Sequence, residues 1–80
     1  MRYEGLDQTD LRAIIIVGRR LDLDVDIDAT DHGELVALVR GPDATFCLSR
    51  GSGTYQMTSS DKGHVVAESD NLGEILAALS

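Results

Sequence analysis

LDLDVDID (residues 21–28) alternates aliphatic and acidic side chains without a break. Successive side chains of a β-strand point to opposite faces of its sheet. As a strand, the segment puts Leu21, Leu23, Val25 and Ile27 on one face and Asp22, Asp24, Asp26 and Asp28 on the other. The aliphatic face requires a core. The acidic face requires water, a cation or a basic partner.

Moving downstream, Asp31, His32 and Gly33 are turn formers. ELVALVR (residues 34–40) reads as a second strand, apolar on both faces. That pattern suits a central strand covered by helices on one side and partly covered on the other. Gly41-Pro42-Asp43 turns the chain. ATFCLSR (44–50) is a third strand, with Phe46 and Leu48 opposed to Thr45, Cys47 and Ser49. After Gly51-Ser52-Gly53, TYQMTS (54–59) sets Tyr55 and Met57 against Thr54, Gln56 and Thr58. Ser60-Asp61-Lys62-Gly63 is another hairpin loop. HVVAE (64–68) is a fifth strand, with Val65 and Ala67 opposed to His64, Val66 and Glu68. Turns recurring every eight to ten residues or so, roughly, leave no room for parallel crossovers, so the strands form an antiparallel meander.

Upstream of the acidic stretch, Leu11, Ile14, Ile15 and Gly18 share one face at helical spacing. Asp7 or Thr9 caps this helix, Asp10 sits in its first turn, and Arg19 and Arg20 suit its last. The β-branched run Ile14, Ile15, Ile16 and Val17, followed by Gly18, favours a rival buried strand over residues 13–17. The helix is preferred. Residues 1–6 form a lead-in pinned by Tyr3 and Leu6. At the other end, Asn71 followed by Glu74 has capping-box spacing. Leu72, Ile75, Leu76 and Leu79 make an apolar helical stripe. The expected fold is α+β. It is a two-layer sandwich in which a meander of four to five strands is flanked by an N-terminal and a short C-terminal helix, both on one sheet face.

Eighty residues make one small domain, residues 1–80, with a 42% hydrophobic fraction that is ample for a globular core. Fourteen acidic against seven basic residues give a net charge of −7. That balance argues against direct binding to nucleic acid or to anionic lipid. It suits a soluble chain with a basic protein partner. The single Cys47 excludes an internal disulfide and a cysteine-based zinc site, and fits a reducing compartment. The longest apolar run, residues 13–17, is too short to cross a bilayer, and the N-terminal stretch carries no apolar signal region. A cytoplasmic protein is expected, in the cytoplasm of the host if the gene is viral.

Between Arg20 and Arg40 there is no positive residue, while Asp22, Asp24, Asp26, Asp28, Asp31 and Glu34 are all acidic. These six are the expected partner-binding residues. D-x-D-x-D opens a calcium loop, but a loop begun at Asp22 needs Gly where Ile27 stands and Glu where Gly33 stands. A loop begun at Asp24 finds Ala29 and Leu35 there instead. No metal is expected. Carboxylates on alternate strand residues are about 6.6 Å apart, of the order of successive phosphates along one nucleic-acid strand. A row of this kind matches the Lys and Arg of a nucleic-acid-binding groove. Small acidic proteins that block nucleic-acid machinery, such as phage-encoded inhibitors of restriction or CRISPR systems, are similar in size and charge, and no motif carries the likeness further. The plain alternative is a solvated edge strand whose charges prevent aggregation.

Other chemistry-bearing residues are sparse. Cys47 lies within a strand, and nothing in the spacing brings His32 or His64 to it. No serine sits in a nucleophile-elbow pattern. Arg50-Gly51-Ser52-Gly53 has amides for a phosphate but no following helix, so it reads as a turn. Thr45, Ser49, Thr54, Gln56, Thr58 and His64 give the later strands a small-polar face. If an interface lies there, Tyr55, Arg40 and Arg50 are its expected anchors. No catalytic constellation and no cofactor is expected. The first expectation is therefore a non-enzymatic binding protein that presents the Asp row to a basic surface of a larger protein. The alternative is a structural or accessory domain that self-associates, or packs in a complex, through apolar surfaces.

Overall fold

The protein is described by a computed structural model over residues 5–51 and 53–79. Tyr3 of the lead-in and Ser52 of the third turn lie outside the described residues. Helix α1 (Gln8–Arg20) forms despite its β-branched run. Its start is fixed by a reciprocal capping box. The Asp7 carboxylate accepts from the Asp10 amide at 2.8 Å, and the Asp10 carboxylate accepts from the Asp7 amide at 3.1 Å. Its amphipathic pattern then outweighs the local cost of Ile and Val. Ile14 is fully buried, and Ile15 and Ile16 are turned outward. The segment before α1 is anchored as well: Leu6 is fully buried, and its amide donates to the Leu35 carbonyl.

α1 ends in a Schellman motif. The Leu23 amide donates to the Gly18 carbonyl at 2.8 Å and the Asp22 amide to that of Arg19 at 3.2 Å. Asp22 occupies the left-handed position at φ 59°, which Asp tolerates better than most residues. Strand β1 therefore begins two residues beyond it, at Asp24, and runs to Ala29. Then follow β2 (Leu35–Arg40), β3 (Thr45–Gly51), β4 (Thr54–Ser59), β5 (Val65–Ser69) and helix α2 (Leu72–Ala77). The sheet order is β1-β2-β3-β4-β5, and every pairing is antiparallel. This is the expected helix, meander, helix architecture.

The register sorts the side chains. Val25, Val39, Phe46 and Ser59 lie across from one another along one row, and Ala37, Leu48, Met57 and Ala67 along the next. These rows face the helices. α1 packs over β1 and β2, α2 over β4 and β5, and the helices touch each other. Leu6, Ile14, Ala37, Val39, Leu48, Met57, Ile75 and Leu76 form the core between the layers.

Three local expectations change. Among the described residues no element covers the second face of β2, so Val36 and Leu38 are sheltered only by neighbouring strands. On β5 a bulge opposite Met57 and Thr58 inserts one residue: Ala67 pairs with Met57 and Val65 with Thr58. Val65 and Ala67 therefore do not share a face as strict alternation required. Finally, Asn71 caps α2 by accepting from the Gly73 amide at 2.9 Å, but Glu74 does not close the box. Its carboxylate accepts from the Ser69 hydroxyl, which in turn accepts from the Asn71 amide.

Candidate partner-binding face

The helix-free sheet face is built from the alternate residues of each strand. β1 contributes Asp24, Asp26 and Asp28; β2 contributes Val36, Leu38 and Arg40; β3 contributes Thr45, Cys47 and Ser49; β4 contributes Thr54, Gln56 and Thr58; β5, across its bulge, contributes Val65 and Glu68. β1 is an edge strand, so the three carboxylates line the rim of this face and are all exposed. Behind them lies a short apolar strip of Val36 and Leu38, and then the small-polar surface of β3 and β4. An extended strand spreads the carboxylates at about 6.6 Å per step and does not curl them around an ion. Among the described residues no three His, Cys, Asp or Glu side chains converge on a metal-sized site.

The six residues expected to act together occupy three places. Asp24, Asp26 and Asp28 form the row. Asp22 is held in the Schellman turn at one end of β1. Asp31 and Glu34 sit in the β1–β2 hairpin at the other end. There the Thr30 amide donates to the Glu34 carbonyl at 2.8 Å, and the Glu34 amide to Thr30 Oγ1 at 3.2 Å. Within the row the three carboxylates differ. Asp26 is paired with Arg40 across the β1–β2 ladder. Both members are about half exposed, so the pair contributes little to stability, but it neutralises the middle of the row. Asp28 accepts from the Ala29 amide at 2.8 Å. The Asp24 carboxylate has no hydrogen-bond or ion-pair partner among the described residues.

Cys47 lies near the centre of the same face and is half-buried. Burial, and then the nearby Asp28 charge, push its thiol up from its ordinary value. A reactive cysteine is tuned the other way.

A second polar cluster sits on the helix side, where Asp10 in the first turn of α1 meets Arg50 of β3 and Tyr55 of β4. Asp10 is buried. Besides closing the helix cap, its carboxylate accepts from the Tyr55 hydroxyl at 2.8 Å and from Arg50 Nη1 at 3.5 Å. The Arg50 guanidinium lies over the Tyr55 ring, 5.2 Å from its centroid. Burial and the Asp10 hydrogen bond raise the Tyr55 phenol above its ordinary value. Tyr55 and Arg50, expected as interface anchors, are thus committed to an internal clasp, and Arg40 is committed to Asp26. The clasp was not anticipated. Only the Asp7-to-Asp10 spacing hinted at a second role for Asp10, because its sheet partners are 40 and 45 residues away.

No family model matches the chain, and neither a curated protein nor a solved structure matches it. No helix among the described residues is long and apolar enough to cross a membrane.

Proposed function

We propose that this is a binding protein that presents the β1 rim of its helix-free face to a basic surface on a larger protein. The reading rests on one observation above all. Three carboxylates stand in line on an exposed edge, only the middle one is neutralised internally, and an apolar strip adjoins them. Charge at a rim governs approach and register, while the adjoining apolar area supplies contact. A groove that normally holds a nucleic-acid backbone is the most specific partner of this chemistry, and blocking it would be steric and electrostatic. The mode of action is then that of a small acidic inhibitor.

The test uses poly-L-arginine as a defined basic probe. Asp24→Asn/Asp26→Asn/Asp28→Asn is compared with Asp43→Asn/Asp61→Asn/Asp70→Asn, which changes the net charge equally. The row variant is expected to lose at least about tenfold more affinity than the control, and wild-type binding is expected to weaken steeply with salt. Asp22→Gly, outside the row, is expected to bind as wild type does. Equal losses in the two triple variants would reduce the effect to net charge and sink the proposal.

A further inference from the structure

The outer face of α1 has the complementary chemistry. Arg12, Ile15, Ile16 and Arg19 fall at helical spacing on the side turned away from the sheet. Ile15 and Ile16 are 37% and 50% exposed, the two large apolar side chains of α1 left in water. Arg12 and Arg19 are exposed and make no ion pair among the described residues. With Gln8 and Leu11 the four line a shallow hollow of about 450 Å³.

We infer that this helix face docks on the helix-free sheet face of a second copy of the chain. The match is one of order and spacing. Arg12 and Arg19 are seven residues apart on a helix, about 10.5 Å. Asp24 and Asp28 are four apart on a strand, about 13 Å. Flexible guanidinium arms span the difference. Asp26, between them, already has Arg40, which leaves the two outer aspartates for the two arginines. Ile15 and Ile16 flank the line of the two arginines on opposite sides, so one of them falls on Val36 and Leu38 while the other borders the outer edge of β1. In its own chain α1 covers β1 and β2 from one side, and the next copy's α1 would cover the same strands from the other.

The two surfaces are different, so the contact is heterologous and can repeat from copy to copy. The net charge of −7 opposes it at long range, so the association is weak and concentration-dependent. The inference rests on the proposed role of the β1 rim as an acceptor for basic groups, and names one occupant for it. An external basic partner would compete with the neighbouring copy.

Sedimentation velocity at physiological ionic strength tests it. Wild type is expected to sediment faster as its concentration rises. Arg12→Gln/Arg19→Gln and Asp24→Asn/Asp28→Asn are each expected to remain monomeric. Mixed in equal amounts, they should form a two-chain complex and nothing larger, because each retains only one competent surface. Circular dichroism checks that both fold; if one does not, Arg12→Gln and Asp28→Asn alone carry the same comparison. A wild type that stays monomeric at every concentration, variants that associate as wild type does, or a mixture that forms no complex would each overturn the inference. Poly-L-arginine separates it from the reading beneath it. Arg12→Gln/Arg19→Gln keeps the acidic rim and adds net negative charge, so it should bind the probe at least as tightly as wild type does. A monomeric wild type that binds the probe loses the self-docking alone, and one that does neither loses both.

Discussion

Gly18 is the residue on which the packing of α1 against β1 depends. A Cβ built there would stand 2.5 Å from Cγ2 of Val25, a stiff β-branched side chain that cannot swing aside. On propensity alone Gly18→Ala would gain about 1 kcal/mol in a helix. Overpacking costs about 1–3 kcal/mol, so the substitution is expected to destabilise, read as a lower denaturation midpoint in urea. A rise in the midpoint would show that the helix can lift off β1 freely. At Tyr55 the prediction is one of pH. The folded state raises its phenol pKa, chiefly through burial and then the Asp10 bond. A raised pKa means that the stabilisation is full below the unfolded value and is lost as pH climbs through the folded one. Tyr55→Phe should therefore cost about 1 kcal/mol at neutral pH for the lost hydrogen bond. Its urea midpoint should then fall less than that of wild type as pH rises above about 10.

At the scale of elements, most of the fold was legible, because turns and alternation are local signals. All five strands and both helices lie within a few residues of where periodicity puts them. What periodicity missed has identifiable physical causes. Alternation through residues 21–28 continues unbroken across a helix terminus, because Asp22 satisfies the left-handed position without a glycine to mark it. The β5 bulge leaves no trace in a run of Val-Val-Ala. The clasp of Asp10, Arg50 and Tyr55 is tertiary and has no spacing to read. Of the acidic site, the row itself was legible, and its division into a rim, a turn and a hairpin was not. The two sheet edges are guarded in different ways: β1 carries charge and β5 carries a bulge. Replacing the three rim aspartates by Asn should leave the fold intact, since each carboxylate faces solvent. This is why that variant can report on binding.

For the whole molecule, the arrangement of the strands has a kinetic consequence. Each strand pairs with its neighbours in sequence, and α1 docks on the strand that follows it. The chain can therefore zip up through short loop closures, and such low-contact-order topologies fold quickly. Among the contacts that join distant parts of the sequence are the Gly5–Arg50 and Leu6–Leu35 backbone bonds, α1 against α2, and Asp10 against Arg50 and Tyr55. The clasp is expected to close after the rate-limiting step, as a latch that slows opening. Stopped-flow measurements on Tyr55→Phe should show faster unfolding with the refolding limb nearly unchanged. A slowed refolding limb would instead place the latch within the folding nucleus.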